Sequence, residues 1–303
     1  MARTVYLGTS DFAAEILRAL AESPHRPALV VTRPDRPRGR GRKLAAPPVA
    51  DVARELGIAV DQPESVNEEP ARRRIADEHP DAVVVCAFGA LIREPLLSEQ
   101  EILNVHPSLL PRWRGAAPVE RAIMAGDDRT GVSIMRLTEG LDSGPVCLTE
   151  AEPIRPGDDY GSLAARLAVG GGRLLVRALD ALPDGLVFAD QAEVGVTYAE
   201  KITSADRVLD PARPAEELAR VVRALSPHIG ASVVAPDGSR LGVWQAVARA
   251  AGSGSSGPAP GELALDGDVP VLGCTPGALA LTVVQPAGRR AMPGEAYLRG
   301  VRG

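Results

Sequence analysis

The chain predicts an α/β protein: a Rossmann-like, doubly wound and mostly parallel sheet, followed by a smaller β-rich domain. Three observations carry this. Apolar runs of strand length alternate with amphipathic helical stretches from the start, opening β-α-β at 4–7, 12–21 and 28–32. The run 81–89 is the most apolar in the chain and reads as a central strand covered on both faces. From about Ser204 the alternation gives way to one helix, 214–224, and short β-like runs at 231–235, 240–248, 261–265, 269–273 and 278–284, which suit a small barrel.

At 303 residues the chain exceeds the usual single domain. The expected division is a first domain over 1–186, a connector over 187–203 and a second domain over 204–303. With 45% hydrophobic and 24% charged residues it has material for a true core. Three cysteines, Cys86, Cys147 and Cys274, stand far apart with no metal spacing, which fits a reducing compartment without disulfides. The start runs straight into a strand with no signal-peptide pattern, and no run of about 18 apolar residues occurs. The expectation is a cytoplasmic protein with no membrane partner, acting as a monomer.

Taken in order, the first strand ends at Gly8-Thr9-Ser10-Asp11, with Ser10 or Asp11 as N-cap of the first helix. This turn is not a dinucleotide fingerprint, because Ser10 and Ala13 stand where the second and third glycines belong; no nicotinamide cofactor is expected. Residues 33–43 alternate proline, glycine and arginine and fit neither helical nor strand periodicity, so they read as an exposed loop. Six basic residues and one acid give this stretch a charge of +5 in a chain of net charge −5, leaving −10 on the rest. A solvated connection is one reading. Eleven residues is long for a βα connection, however, and clustered arginine is the electrostatic footprint of nucleic acid.

Helices are expected at 47–56 and 68–77, with a short strand at 58–60 between them. The end of run 81–89, with Phe88 and Leu91 near it, offers apolar side chains where a flat ligand could lie, although core packing is the better explanation of each of these residues taken singly. The next strand, 102–105, leads into Asn104-Val105-His106-Pro107 and stops at the proline. Asn104 and His106 lie two apart and point to one face of a strand end, the edge where open α/β sheets bind ligands. Arg112-Trp113-Arg114 follows, and Trp113 either stacks on a base or anchors the core.

A helix at 119–125 precedes two strand-like runs, 130–137 and 146–152, which read as a hairpin-like pair. Between them Gly140 and Gly144 frame Asp142, leaving that loop free to adopt unusual backbone angles and present the carboxylate. His25, His79 and His228 sit in polar, proline-rich contexts without a partner nearby, and neither a metal cluster nor a G-x-S-x-G elbow occurs. What remains is a base, His106, an oxyanion donor, Asn104, and a carboxylate, Asp142. This set suits acyl transfer between two bound substrates without a covalent enzyme intermediate. A long helix over 158–182 follows, with Gly170-Gly171-Gly172 inside it calling for close packing or a kink.

Asn104-Val105-His106-Pro107-Ser108-Leu109-Leu110-Pro111-Arg112-Trp113-Arg114-Gly115-Ala116-Ala117-Pro118, Thr130 to Met135, and Gly140-Leu141-Asp142-Ser143-Gly144 closely resemble the methionyl-tRNA formyltransferase family. Gly8 to Ala13, Pro34 to Pro37, Tyr198 to Lys201 and Gln285 to Met292 extend the resemblance nearly end to end. It implies transfer of a formyl group from 10-formyltetrahydrofolate, with no metal, to the methionyl amine of initiator tRNA. It places Asn104, His106 and Asp142 in catalysis, Ser108, Leu109, Leu110 and Pro111 on the folate with Phe88 and Leu91 beside them, and an OB-fold in the second domain. tRNA would meet Arg36, Arg38, Arg40, Arg42, Lys43 and Lys201. The sequence departs from the family at Ser226-Pro227-His228-Ile229-Gly230, and its second domain is nearly charge-balanced, ten arginines against nine acids after Ser204. Other formyltransferases, a formyltetrahydrofolate hydrolase and a non-catalytic RNA-binding protein are the competing readings.

Overall fold

Strand β1 (Thr4–Gly8) is buried throughout and ends at a glycine whose Cβ would stand 2.7 Å from the Tyr6 ring and 3.1 Å from Cys86 O. The chain turns there into helix α1 (Asp11–Ala21), and Ser10 Oγ closes its first turn by accepting from Ala13 N at 3.3 Å. The computed structural model describes residues 1–38, 43–235, 237–250, 257–265 and 267–302. Next come β2 (Pro27–Val31), β3 (Arg36–Arg38), β4 (Lys43–Ala45), α2 (Pro48–Glu55), β5 (Ala59–Asp61), α3 (Glu69–Ala76), β6 (Ala82–Cys86), α4 (Leu96–Glu99) and β7 (Ile102–His106). They lead to β8 (Arg114–Gly115), α5 (Pro118–Ala125), β9 (Arg129–Arg136), β10 (Val146–Pro153), α6 (Tyr160–Ala181) and β11 (Tyr198–Ala199). The remainder is α7 (Ala215–Leu225), β12 (Ala231–Val234), β13 (Arg240–Arg249), β14 (Leu263–Ala264), β15 (Val271–Gly273), β16 (Ala278–Gln285), β17 (Met292–Pro293) and α8 (Gly294–Arg302).

Two units result: Met1–Gly115 with Thr130–Pro153 and Ala164–Tyr198, and Ala116–Arg129 with Ile154–Leu163 and Ala199–Gly303. The first holds a seven-stranded sheet in the order β10-β9-β7-β6-β1-β2-β5. Neighbours from β7 to β5 are parallel, and β9 runs antiparallel to β7. Strands grow outward on both sides of β1, so the winding reverses between β1 and β6, the kind of place where open α/β sheets bind ligands beyond the carboxyl ends of their strands. Val5, Leu29, Val83 and Ile102 pack with Phe88 and Ile75 over the sheet. Each such side chain contributes about 1.5–3 kcal/mol when fully withdrawn from water.

The glycine triplet in α6 is a matter of space. A Cβ on Gly172 would stand 2.6 Å from that of Ala19 in α1, and one on Gly171 would stand 3.1 Å from Ile16 Cδ1. Only residues without side chains let the two helices lie this close.

The second unit carries an antiparallel sheet in the order β12-β13-β16-β15-β14, with β17 added to β16. Helix α7 lays Leu218, Val222 and Leu225 onto Val243, Leu279 and Leu281. Within the same unit, Gly126 closes α5 in the left-handed conformation at φ +77°. Helix α8 is absent from the sequence reading, which placed only strands beyond the first helix of this region.

Two expectations are corrected. Residues 33–43 are not wholly irregular, because β3 and β4 pair antiparallel with Arg36 opposite Ala45. Periodicity misses this pairing because each strand is only three residues long, too short to show an alternation. Nor are His25 and His228 partnerless: His25 is fully buried against Asp180, 155 residues away, and His228 stacks on Tyr160 at 3.7 Å and meets Glu120 Oε1 at 3.0 Å.

Candidate active site

The end of β7 is built from both sides. Val85 of β6 lies opposite Asn104, and Ser133 of β9 lies opposite His106. Alternation along the strand sends Asn104 and His106 to one face. Both are more than nine-tenths buried. Beyond the strand, Ser133 Oγ donates to Ser108 O at 2.7 Å and accepts from Leu110 N at 3.2 Å, fastening the turn that proline begins. Ser133 is the brace that composition and spacing did not single out.

Around the imidazole the hydrogen bonding decides the proton positions. Nε2 lies 2.8 Å from Trp113 O, a carbonyl that only accepts, so Nε2 carries a hydrogen. Nδ1 lies 3.7 Å from Asp142 Oδ2, a charge approach longer than a hydrogen bond. The same carboxylate accepts from Gly115 N at 2.8 Å through Oδ2 and from Asn104 Nδ2 at 3.4 Å through Oδ1. An amide, an imidazole and a carboxylate from two segments 36 residues or more apart in sequence thus meet, and their polar atoms face one another.

The loop that presents Asp142 works differently from the expectation. Asp142 itself takes the left-handed conformation at φ +44°, whereas Gly140 and Gly144 do not have positive φ. Those glycines provide room: a Cβ on Gly140 would meet Ser143 Oγ at 2.1 Å, and one on Gly144 would meet Arg136 O at 2.0 Å. Trp113, whose carbonyl holds the imidazole, is left-handed too at φ +63°. A left-handed residue with a side chain costs about 1–3 kcal/mol and persists where its surroundings over-determine it.

The residues assigned to folate are dispersed in environment. Ser108 is fully buried with its hydroxyl donating to Arg112 O at 2.6 Å, so it shapes the turn. Leu109, Leu110 and Pro111 are half-buried beside it. Phe88 belongs to the apolar core and its carbonyl accepts from Thr9 Oγ1, while Leu91 is 61% exposed. Trp113 is half-buried, and the Arg112 guanidinium lies over its ring at 4.4 Å.

Among the basic residues, Arg36 is exposed and ion-paired with Glu64 at 2.8 Å, and Lys201 is exposed. Arg40 and Arg42 lie outside the described residues, as do the side chains of Arg38 and Lys43.

No thiol here is a poised nucleophile. Burial pushes the Cys86 thiol up to about 12, and it raises Cys147 and Cys274 as well. Among the described residues no group of three or more His, Cys, Asp and Glu is placed to hold a metal ion, and no helix is long and apolar enough to cross a membrane.

Residues 2–179 match the family model for formyl transferase, and residues 201–302 match that for the formyl transferase C-terminal domain. Methionyl-tRNA formyltransferase of Aromatoleum aromaticum is 43% identical over 301 residues, 98% of this chain and 94% of that protein. That of Halorhodospira halophila is 43% identical over 307 residues, 99% of this chain and 97% of that protein. Among solved structures, HypX from Aquifex aeolicus in complex with tetrahydrofolic acid superposes with a TM-score of 0.67 at 19% identity over 98% of this chain and 47% of its own, so the chain spans about half the length of HypX. The N-formyltransferase from Helicobacter canadensis in complex with folinic acid and dTDP-3-aminofucose gives a TM-score of 0.67 at 13% identity, covering 93% of this chain and 99% of that one. At those identities the likeness is one of fold, whereas the curated relatives are full-length kin, and the chain belongs to the methionyl-tRNA formyltransferase family.

Proposed function

We propose that this protein transfers the formyl group of 10-formyltetrahydrofolate to the α-amino group of methionyl-initiator tRNA, for translation initiation in the cytoplasm. One observation carries the reading: Asn104, His106 and Asp142 converge at a strand end in a chain whose full-length relatives bear that one name. A free α-amino group titrates at about 7.7 to 8.0, so a useful fraction is neutral near pH 7 and attacks the formyl carbon unaided. Attack builds an oxyanion, and the amide hydrogens of Asn104 and a protonated His106 stabilise it. Asp142 faces the ring with opposite charge and holds it in place. As the carbon–nitrogen bond to tetrahydrofolate breaks, the imidazolium gives its proton to the leaving nitrogen, and the neutral ring so formed, or water, takes up the proton that the amine releases.

Folate is a co-substrate, seated by Leu109, Leu110 and Pro111 on the turn that Ser108 shapes from within, with Phe88 and Leu91 at its edge. Half-buried apolar surface at 109–111 beside the catalytic groups supports this. We assign catalysis to 1–186, a connector to 187–203, and tRNA binding to an OB-fold over 204–303, a reading that the antiparallel sheet of that region supports. Arg36, Arg38, Arg40, Arg42, Lys43 and Lys201 supply the phosphate contacts, and the protein acts as a monomer.

The test is transfer of labelled formyl from 10-formyltetrahydrofolate to methionyl-initiator tRNA. Release of formate without tRNA, or preference for an amino sugar or glycinamide ribonucleotide, overturns the acceptor. For the basic arm, Arg42→Ala is expected to raise the tRNA KM and flatten its salt dependence; an unchanged KM and salt slope removes Arg42 from the interface.

A further inference from the structure

We propose that Gln191 and Thr197 are positioning residues for the reaction: together they hold the two groups that flank the His106 ring. This rests on the catalytic reading of His106 and Asp142 above.

Each nitrogen of the imidazole faces a residue in the left-handed conformation without being glycine, Trp113 at Nε2 and Asp142 at Nδ1. Neither backbone would stay there unaided. Both are held from one segment, the stretch between α6 and β11. Thr197 Oγ1 accepts from Trp113 N at 2.9 Å and Thr197 O accepts from Arg114 N at 2.9 Å, fixing the carbonyl that receives Nε2–H. Gln191 Nε2 donates to Asp142 O and to Gly144 O, both at 2.8 Å, so both amide hydrogens clamp the loop that carries the carboxylate. Its Oε1 accepts from Arg114 Nε at 3.0 Å and Nη2 at 2.8 Å, which ties that loop back to the residue after Trp113. Residues 192–195 are exposed, while Gln191 and Thr197 are drawn inward. The segment therefore sets the distance from Asp142 Oδ2 to the ring and the angle of the ring itself.

The experiment uses the full chain and steady-state transfer of labelled formyl. Gln191→Leu and Thr197→Val are expected to lower kcat about 10- to 100-fold with the KM of both substrates nearly unchanged, because misplacing a catalytic group slows chemistry without weakening binding. Thr197→Ser retains the hydroxyl and restores the rate. In an Asp142→Ala background, Gln191→Leu causes no further loss, since its effect runs through that carboxylate. Gln191→Glu matches the native size and keeps the Arg114 contacts, so it carries the test if Gln191→Leu does not fold; losing the two donated hydrogens, it is expected to be as slow. A wild-type kcat in either loop variant, or a loss that adds in full on Asp142→Ala, overturns the proposal. Failure of the functional reading shows separately, as wild-type protein that does not formylate the tRNA. The same variants then judge positioning by their kcat on the acceptor that is used.

Discussion

Two buried histidines in the first unit show how one side chain serves opposite ends. At the start of β1, His25 accepts from Ala2 N through Nδ1 at 2.9 Å and meets Asp180 Oδ1 through Nε2 at 2.8 Å, so both nitrogens are fully partnered and the ring is an anchor between chain start and α6. At the end of β7, His106 is hydrogen-bonded among the described residues at Nε2 alone, and its Nδ1 faces a carboxylate from beyond hydrogen-bond distance. A satisfied ring has nothing left to offer a substrate. A half-satisfied one, set beside an amide and a carboxylate, does, and burial alone does not separate the two cases.

The sharpest test of that difference is at the β7 end. Asn104→Ala is expected to lower kcat by about 10²–10³-fold, the usual loss for one oxyanion donor, and Asp142→Ala by at least as much through the imidazole it holds, with the urea midpoint hardly moved. Near wild-type turnover in either removes that residue from the mechanism. His25→Ala should do the reverse, lowering stability by about 1–3 kcal/mol as the buried Ala2 N loses its acceptor, while kcat at a permissive temperature stays near wild type. A collapse of kcat in a folded His25→Ala protein would erase the contrast.

Gly172→Ala probes the same anchor indirectly. The added methyl meets Ala19 Cβ at 2.6 Å and pushes α6, which carries Asp180, away from α1, for a loss of about 1–3 kcal/mol by thermal or urea unfolding. The smallest effect is at an ordinary ion pair. In the second unit Arg121 beside Asp206 holds that carboxyl down at about 2, below its unfolded value of about 3.9. A depressed acid stabilises the fold above the unfolded value and loses that contribution as pH falls through the folded one. Asp206→Asn should therefore cost up to about 1 kcal/mol at pH 7 and only a small part of that near pH 2, measured by urea titration at both.

Much of the first unit was legible because burial writes itself into composition: the all-apolar β6, the capped α1 after Gly8, and the period-2 placement of Asn104 and His106 each follow from one stretch of chain. The ribbon of β3 and β4 was not, since a three-residue strand shows no pattern until its partner is beside it. His25 looked partnerless because Asp180 is remote in sequence. The glycines around Asp142 suggested backbone freedom, yet it is Asp142 that bends and the glycines that make room.

The order of residues alone determined the alternating α/β pattern, the strand end that carries an amide and an imidazole, and the family to which the chain belongs, because each depends on neighbours within a few positions or on a contiguous motif. Only the folded chain decided which histidine is idle and which is poised, and which side chains of the 187–198 stretch brace the ring. Those depend on hydrogen bonds between groups tens of residues apart, whose partners and directions no local pattern encodes.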